Sequence, residues 1–263
     1  MDQQSKVYSQ VKNAFIRELL GELHGKRFLD YGCGAGIFSV YAALSGADFV
    51  LGVDAEQASL STARYYAERE GMSCVCRFVS SDSLPSFTPQ TVFDVVLMKD
   101  VLEHVAQDQA LLDGIAEVLA PGGTLVISTQ NSLSLNYLIE GTYRRILRRD
   151  KNWYGWDPTH VRFYTPFSLE AKLRKAGLTC AAWMSVYLVP YKLPAFPGSG
   201  RQFLRIDSLA WIDRTLGWMF PYSRMGWNII VKAEGSRLVR SREWLRRPIF
   251  PFDLQAGYPE TPT

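Results

Sequence analysis

The chain has 263 residues, of which 47% are apolar and 21% are charged, and 29 basic against 26 acidic side chains leave a net charge of +3. This composition excludes disorder over most of the length, and so small a net charge does not by itself indicate a nucleic-acid or membrane partner. No apolar run reaches the roughly 18 residues of a spanning helix, and the first residues lack a secretory pattern, so we expect a cytoplasmic protein.

The first half of the chain alternates short apolar runs with helical periods. Apolar residues from Val7 to Leu23 predict an amphipathic N-terminal helix that ends at His24-Gly25. Strands are then predicted at 27–31, 49–53, 74–79, 93–98 and 124–129, with helices at 37–44, 59–70 and 107–119. This alternation predicts a doubly wound, Rossmann-like α/β sheet whose parallel strands are joined by right-handed crossovers and covered on both faces.

After residue 129 the rhythm changes. The sequence predicts a helical stretch at 133–147, a helix at 166–176 and an apolar run at 179–189. A loop rich in Pro and Gly follows at 190–200, then an inserted helical element at 203–220 and a last strand at 227–233. We therefore divide the chain into an N-terminal helical segment (1–25), a catalytic domain (26–235) and a basic, Pro-containing tail (236–263).

A glycine-rich loop, Gly32-Cys33-Gly34-Ala35-Gly36, separates the first predicted strand from its helix. Its glycines let a ligand approach the backbone and expose amides at a helix N-terminus. The G-x-G-x-G spacing differs from the dinucleotide fingerprint and lacks the Lys-Ser/Thr of a P-loop. Asp54, at the end of the second strand, can accept hydrogen bonds from ribose hydroxyls. The pattern favours a nucleoside site, with a tight turn that binds no ligand as the alternative.

Five landmarks in chain order resemble the class I S-adenosylmethionine-dependent methyltransferases. They are the loop at 29–36, Asp54, Asp82, the run at 93–96 and the Leu-Ala-Pro-Gly-Gly at 119–123. Within that class, residues 25–27, 100–105 and 128–131 look like the ubiquinone-biosynthesis O-methyltransferases and their broader relatives. The resemblance, strong over 26–129, implies a seven-stranded, mostly parallel sheet with the last strand antiparallel and a helical lid and insertion on the acceptor side, at about 133–226.

The resemblance also implies where the donor, S-adenosyl-L-methionine, would bind. Lys99 would contribute its main chain, and Lys12 takes the place of a basic N-terminal residue that reaches the donor in the family. Asp82 would accept from the adenine amino group, although such a residue can equally be a helix cap. The full set is Lys12, Asp30, Gly32, Gly34, Gly36, Asp54, Asp82, Ser83 and Lys99.

Two histidines are candidates for deprotonating an acceptor hydroxyl, because imidazole is the side chain best matched to neutral pH. His104 follows the fourth strand, and His160 lies in an aromatic segment, 156–165, that family topology would bring over the donor as a lid. In that segment Arg162 and Tyr164 are secondary candidates for contacting the acceptor. The alternative is that Pro158 and the aromatic side chains only fix a loop that contains His160.

The same histidine belongs to a candidate metal site, Asp100, Glu103 and His104. The related Glu-x-x-Glu-His motif of the family is linked to a divalent metal, and carboxylate oxygens suit Mg²⁺. In this chain the shorter Asp100 replaces the first Glu. The alternative is that Glu103 and His104 begin a helix and orient its loop.

Basic residues concentrate in two stretches. Residues 144–151 and 237–247 each carry a net +4, which leaves the remainder mildly acidic, and Trp and Phe accompany both. Such stretches are most often solvated arginine faces; an interfacial helix on a membrane and a nucleic-acid surface are the other interpretations, in that order. No RNA-binding module is recognisable, which disfavours nucleic acid.

Together these observations predict an S-adenosylmethionine-dependent methyltransferase that acts on a small-molecule hydroxyl, phenolic or on a hydrophobic, lipid-linked scaffold. A second hypothesis keeps the fold but methylates nitrogen, carbon or a sugar. A third makes the chain a non-catalytic S-adenosylmethionine-binding module. The sequence gives no information on the acceptor's identity or the oligomeric state.

Overall fold

The structure, a computed structural model, describes residues 7–81, 92–150, 157, 159–189, 192–194, 203–205 and 207–235. Within them a seven-stranded sheet has the order β3-β2-β1-β4-β5-β9-β6, in which β9 runs antiparallel to both of its neighbours. The strands of this sheet are β1 (Arg27–Tyr31), β2 (Phe49–Asp54), β3 (Cys76–Ser80), β4 (Phe93–Lys99), β5 (Leu119–Gln130), β6 (Leu178–Val186) and β9 (Asn228–Gly235). The predicted fold class is therefore confirmed.

Helices cover both faces of the sheet. They are α1 (Val7–Leu20), α2 (Ile37–Leu44), α3 (Gln57–Arg69), α4 (Asp108–Val118), α5 (Leu135–Thr142), α6 (Pro166–Lys175) and α7 (Ala210–Leu216). A 3₁₀ turn covers Leu102–His104, and α5 continues as a π-helical turn over Tyr143–Leu147. Among the described residues no helix is both long and apolar enough to cross a membrane.

The core is divided by the sheet into two clusters of buried apolar side chains. One contains residues of α1, α2 and α3, such as Ile16 and Leu60, and the other contains residues of α4 and α6, such as Leu112 and Leu169. Central strand residues alternate between the two, since neighbouring side chains of a strand point to opposite faces. Phe28 belongs to the first cluster and Leu29 to the second, and both are fully buried.

Two predicted boundaries and one predicted element were wrong. Helix α1 ends before Gly21, whose φ of 70° favours glycine, rather than at His24-Gly25. Strand β5 begins at Leu119, five residues early, because a register shift between Phe93 and Val95 lets the Pro-Gly-Gly segment stay in the strand. The stretch at 203–220 is not one helical element: it contains strand β8 (Phe203–Arg205), paired with β7 (Lys192–Pro194), and then the short α7.

The strand register brings the candidate residues to one edge of the sheet. Tyr31 of β1 pairs with Met98 of β4, and Lys99 pairs with Ser128 of β5. The glycine loop, the 100–104 segment and the end of β5 therefore leave the sheet side by side. This is the carboxyl edge of the parallel strands, where doubly wound sheets bind their ligands.

Candidate active site

The glycine loop turns tightly at the end of β1. Gly32 and Cys33 donate backbone hydrogen bonds to the carbonyl of Val53, and Gly36 donates to the carbonyl of Cys33 at 2.9 Å. Gly32, Gly34 and Gly36 all have positive φ, between 52° and 79°. A side chain on Gly36 would collide with Ala63, whereas one on Gly34 would have no heavy atom within 4 Å. Gly36 is thus required by packing, while Gly34 faces open space in which a ligand can approach the backbone.

Asp54 supports this loop from the end of β2. Its two carboxylate oxygens accept hydrogen bonds from the amides of Gly34 at 2.8 Å and Glu56 at 2.9 Å. Each carboxylate oxygen has a second lone pair. Asp54 can therefore hold the loop and still accept from the two hydroxyls of a ribose, so its placement fits the sequence prediction.

Asp30 lies beneath the loop, not in it. Its side chain is buried and accepts a hydrogen bond from Ser39 of α2 at 2.7 Å. Burial raises the pKa of this carboxyl to about 6, against the opposing hydrogen bond from Ser39. The hydrogen bond between Asp30 and Ser39 therefore links β1 to α2 beneath the glycine loop.

Helix α1 lines a cleft beside the glycine loop. Gln10, Asn13 and Arg17 of α1 line a pocket together with Ile37, the first residue of α2. Helix α2 begins where the glycine loop ends, so α1 stands beside the loop. The resemblance placed Lys12 of the predicted N-terminal helix at the donor, but it did not indicate that Gln10, Asn13 and Arg17 line a pocket beside the loop.

Lys12 is buried between α1 and the sheet and pairs with Asp100. Its Nζ contacts both carboxylate oxygens, the Oδ1 at 2.5 Å, and Lys99, Ser128 and Asn228 also donate to Asp100. Burial would raise the pKa of Asp100, but the charges of Lys12 and Lys99 outweigh burial and hold it well below its usual range. Lys12, predicted at the donor, is therefore committed to Asp100 in this arrangement.

His104 is exposed at the carboxyl edge, three residues after Val101, whose side chain fills the space beside Gly32. The hydroxyl of Thr159 donates to Asp157 Oδ1 at 2.6 Å and lies 3.0 Å from His104 Nδ1. Because the one hydroxyl proton goes to Asp157, Thr159 accepts from the Nδ1–H of His104. This tautomer leaves the lone pair on Nε2, so the relay prepares His104 to take a proton.

His160 is buried beside His104, with ring centroids 4.7 Å apart in an edge-on arrangement. Its Nε2 lies 3.9 Å from Asp157, and its ring contacts Phe163. Of the two predicted bases, His104 is therefore the one open to a substrate. His160 packs behind His104. The Asp157 carboxylate lies near His160 and is linked to His104 through Thr159.

Glu103 lies under the two histidines and is fully buried. Its Oε2 accepts from Thr129 at 2.8 Å, while Oε1 is buried without a hydrogen-bond partner among the residues that the structure describes. Burial and the nearby charge of Asp100 raise its pKa to about 8. Glu103 is thus held protonated at neutral pH unless a cation or a donor reaches Oε1.

The predicted metal set is assembled differently. Ligand atoms of Glu103, His104 and His160 lie within 4.8 Å of one another, and His160 takes the place expected for Asp100. Asp100 does not belong to this group, and its oxygens accept from Lys12 and its other donors instead. One carboxylate with two imidazoles suits zinc better than magnesium, which prefers oxygens, so the Mg²⁺ expectation is not supported.

Aromatic side chains border the histidines. Tyr137 of α5 stacks on Trp227 with ring centroids 6.2 Å apart, and Phe163 contacts both rings edge-on. Phe163 also contacts His160. This aromatic wall, Tyr137, Phe163 and Trp227, joins α5, the 159–165 segment and the start of β9 next to His104.

Two secondary candidates are turned elsewhere. Arg162 and Tyr164 both bind Asp108, through an ion pair at 2.7 Å and a hydrogen bond at 2.6 Å, and their contact with the acceptor stays a prediction. Asp82 and Ser83, predicted at the adenine, and the 236–263 tail lie outside the described residues.

Residues 4–182 match a family described as a methyltransferase domain. The chain belongs to this methyltransferase domain family. The methyltransferase is 36% identical over 176 residues to a ubiquinone biosynthesis O-methyltransferase of Cereibacter sphaeroides, which covers 65% of the chain and 68% of that protein. It is 35% identical over 173 residues to the enzyme of that description from Ruegeria pomeroyi, covering 64% and 67%.

Solved structures share the fold, and among them are S-adenosylmethionine-dependent methyltransferases. One from Mesorhizobium loti superimposes with a TM-score of 0.56 at 20% identity, over 85% of this chain and 97% of that one. A magnesium protoporphyrin IX methyltransferase from Synechocystis with bound SAH gives 0.57 at 16% identity, over 90% and 89%. By its family match and its relatives at 36% and 35% identity the chain is an S-adenosylmethionine-dependent methyltransferase, and the open face of Gly34 with Asp54 beside it fits that donor.

Several site residues could not be predicted from the sequence because nothing local marks them. Thr159 and Asp157 were visible only as part of an aromatic segment, and their relay to His104 spans 55 residues. Thr129 is the penultimate residue of β5, and its hydrogen bond to Glu103 follows from the β4–β5 pairing. Only the predicted sheet order could have indicated these contacts.

Proposed function

We propose that the methyltransferase transfers a methyl group from S-adenosylmethionine to a hydroxyl of a small, aromatic acceptor. The observation that carries this proposal is the Asp157–Thr159–His104 relay, which leaves His104 Nε2 as a proton acceptor at the edge that also holds the glycine loop. Hydroxyl acceptors benefit most from such a base, because the alkoxide or phenolate is a far better nucleophile than the alcohol. The named activity of the relatives supports the same acceptor chemistry.

The donor, when bound, supplies an electrophilic methyl group on a sulfonium. The chain contributes positioning: Gly34 admits the donor to the loop, Asp54 accepts from its ribose, and α1 closes the cleft. His104 removes the acceptor proton, and Thr159 and Asp157 hold the imidazole in its reactive tautomer. The aromatic wall of Tyr137, Phe163 and Trp227 offers faces and edges against which an aromatic acceptor can stack.

The test is methyl transfer to a panel of phenols, catechols, aliphatic alcohols and amines. We expect turnover on a phenol or catechol and a fall in kcat of about 10²-fold or more for His104→Gln, with the donor Kd unchanged. Thr159→Val should lose less, since it disturbs only the tautomer. His24→Gln, an exposed histidine before β1, is the matched control and should behave as wild type.

Two outcomes would contradict this assignment. Undiminished kcat in His104→Gln would remove the base, and turnover on amines alone would replace the acceptor. Exhaustive dialysis against EDTA separates base from metal: activity should survive it, whereas a loss restored by zinc would assign Glu103, His104 and His160 to a cation.

A further inference from the structure

Helix α5 and its π-helical continuation carry an apolar face that points into solvent. From Leu135 onward its members, at 135, 138, 139, 143 and 146, fall within one sector of the helix, since 3.6 residues make a turn. The opposite side carries Tyr137 of the aromatic wall together with the buried Gly141 and Asn136, and Asn136 Nδ2 donates to the Tyr187 carbonyl at 2.9 Å. The exposed apolar residues are Leu133, Leu135, Leu138, Ile139, Tyr143 and Ile146, with Ile146 at 68% exposure.

This orientation is the reverse of an ordinary surface helix, whose apolar stripe faces the core. Exposed apolar patches of this kind mark interaction sites, since single scattered residues would not repeat at helical spacing. We call residues 133–149 the docking segment.

Arginines flank the apolar face. Arg144, Arg145, Arg148 and Arg149 follow one another within six residues. Arg148 donates to the Tyr143 hydroxyl at 3.1 Å, and the Arg145 guanidinium lies 5.6 Å from the Tyr137 ring centroid. Cationic groups beside exposed Leu and Ile match a surface that is anionic at its boundary and apolar beneath it. A nucleic acid would call for exposed aromatic faces, and most of the exposed members here are aliphatic.

We propose that the docking segment seats on the surface of an anionic phospholipid bilayer. The apolar side chains enter the boundary of the acyl region, and the arginines bind lipid phosphates. A second exposed apolar segment, which includes Trp218 and Phe220, returns to the same place: Asn131, just before the docking segment, donates to the carbonyls of Arg224 and Gly226 at 3.0 Å.

The position of the surface relates it to the active site. On the inner side of α5, Tyr137 belongs to the aromatic wall that contacts His160. The bilayer would therefore lie one helix away from His104, and an acceptor with a hydrophobic tail could be drawn from the lipid. This last step rests on the proposed function, whereas the docking does not.

The test is flotation of the full chain with vesicles of phosphatidylcholine, alone or mixed with phosphatidylglycerol. We expect flotation only with the anionic vesicles, weakened by added salt. Leu138→Gln with Ile146→Gln should lower the partition coefficient at least about tenfold, and Arg148→Gln with Arg149→Gln by about tenfold or more. Tyr65→Ser, an equally exposed apolar residue on α3 at the far end of the sheet, should change nothing.

Flotation that is absent, or unchanged in the Leu138/Ile146 variant, would overturn the proposal. So would a wild-type dimer in lipid-free solution that this variant converts to monomer, because a second copy would then cover the face. Methyl transfer to a water-soluble phenol should be unaffected in the same variant. Docking can therefore fail while the proposed function holds, and the reverse.

Discussion

Two glycines of the same loop, Gly34 and Gly36, differ in their surroundings. Gly36 is closely packed, since a Cβ there would lie 2.8 Å from that of Ala63, whereas Gly34 has nothing within 4 Å. Both have positive φ, which costs other residues about 1 kcal/mol. The loop thus separates a structural requirement from a ligand-binding one at positions two residues apart.

Substitution of each glycine by alanine should reveal this difference. Gly36→Ala is expected to lower the free energy of unfolding by about 2 kcal/mol or more, because strain and a clash combine. Gly34→Ala should lose only about 1 kcal/mol yet weaken S-adenosylmethionine binding at least tenfold. Denaturant titration and calorimetry provide the two measurements, and equal losses of stability in both variants would contradict the distinction.

Asp30 predicts a pH dependence of stability. Its folded pKa of about 6 lies above the ordinary 3.8, so the native state binds the proton more tightly than the unfolded chain. The protonated Asp30 carboxyl contributes its full stabilisation below about pH 4. As pH rises through 6 the free energy of unfolding falls by about 3 kcal/mol.

Asp30→Asn should abolish that loss. Its advantage in free energy of unfolding over wild type is expected to grow from pH 4 to about 6.5 and then level off, as measured by urea titration at each pH. The exposed Asp48→Asn is the control and should track wild type. Parallel curves for Asp30→Asn and wild type would show that Asp30 is not the titrating group.

At the scale of elements, α1 is held to the sheet by apolar packing and one ion pair. Val11, Phe15 and Ile16 are buried against the sheet, and Lys12 reaches Asp100 across 88 positions of sequence. Removing one partner of a buried pair leaves the other charge uncompensated, which costs more than removing both. The Lys12–Asp100 ion pair therefore stabilises the packing of α1 on the sheet only while both residues are present.

A double-mutant cycle tests this attachment. Lys12→Met alone and Asp100→Asn alone should each lower the free energy of unfolding by about 2 to 3 kcal/mol, since part of Asp100 remains exposed. The double variant should be more stable than the sum of the two losses predicts, by at least about 1 kcal/mol. Additive losses in denaturant titrations would indicate two independent contacts.

The elements differed in how far the sequence predicted them. Strands β1, β2 and β4 are short apolar runs bounded by turns, and these were found within a residue or two. The glycine loop was found because few backbone geometries need glycine at alternate positions. The 203–220 stretch was not, since short apolar runs fit strand and helix equally well. Contacts such as Lys12–Asp100 and Thr159–His104 depend on which strands are neighbours, which no local pattern contains.

At the scale of the whole molecule, the glycine loop and the candidate base come from different parts of the sheet. β1 to β3 and their helices provide the glycine loop and Asp54, while His104 follows β4 and the aromatic wall comes from residues after β5. The family match ends at residue 182, so it covers the donor half and extends through the 159–165 segment into β6. What lies beyond it contributes Trp227 to the wall and the exposed segment around Trp218.

The junction between β5 and β9 has a consequence for how such enzymes diversify. Gln130 and Asn228 face each other across antiparallel strands, and the amide of Asn131 donates to the carbonyl of Trp227 at 2.8 Å. The 97 residues between Gln130 and Asn228 therefore begin and end at one point of the sheet, and they include strand β6, which pairs with β9. A stretch closed at its base in this way can be exchanged between relatives as a single cassette, and the grafted enzyme should keep its methyl donor while acquiring a new acceptor.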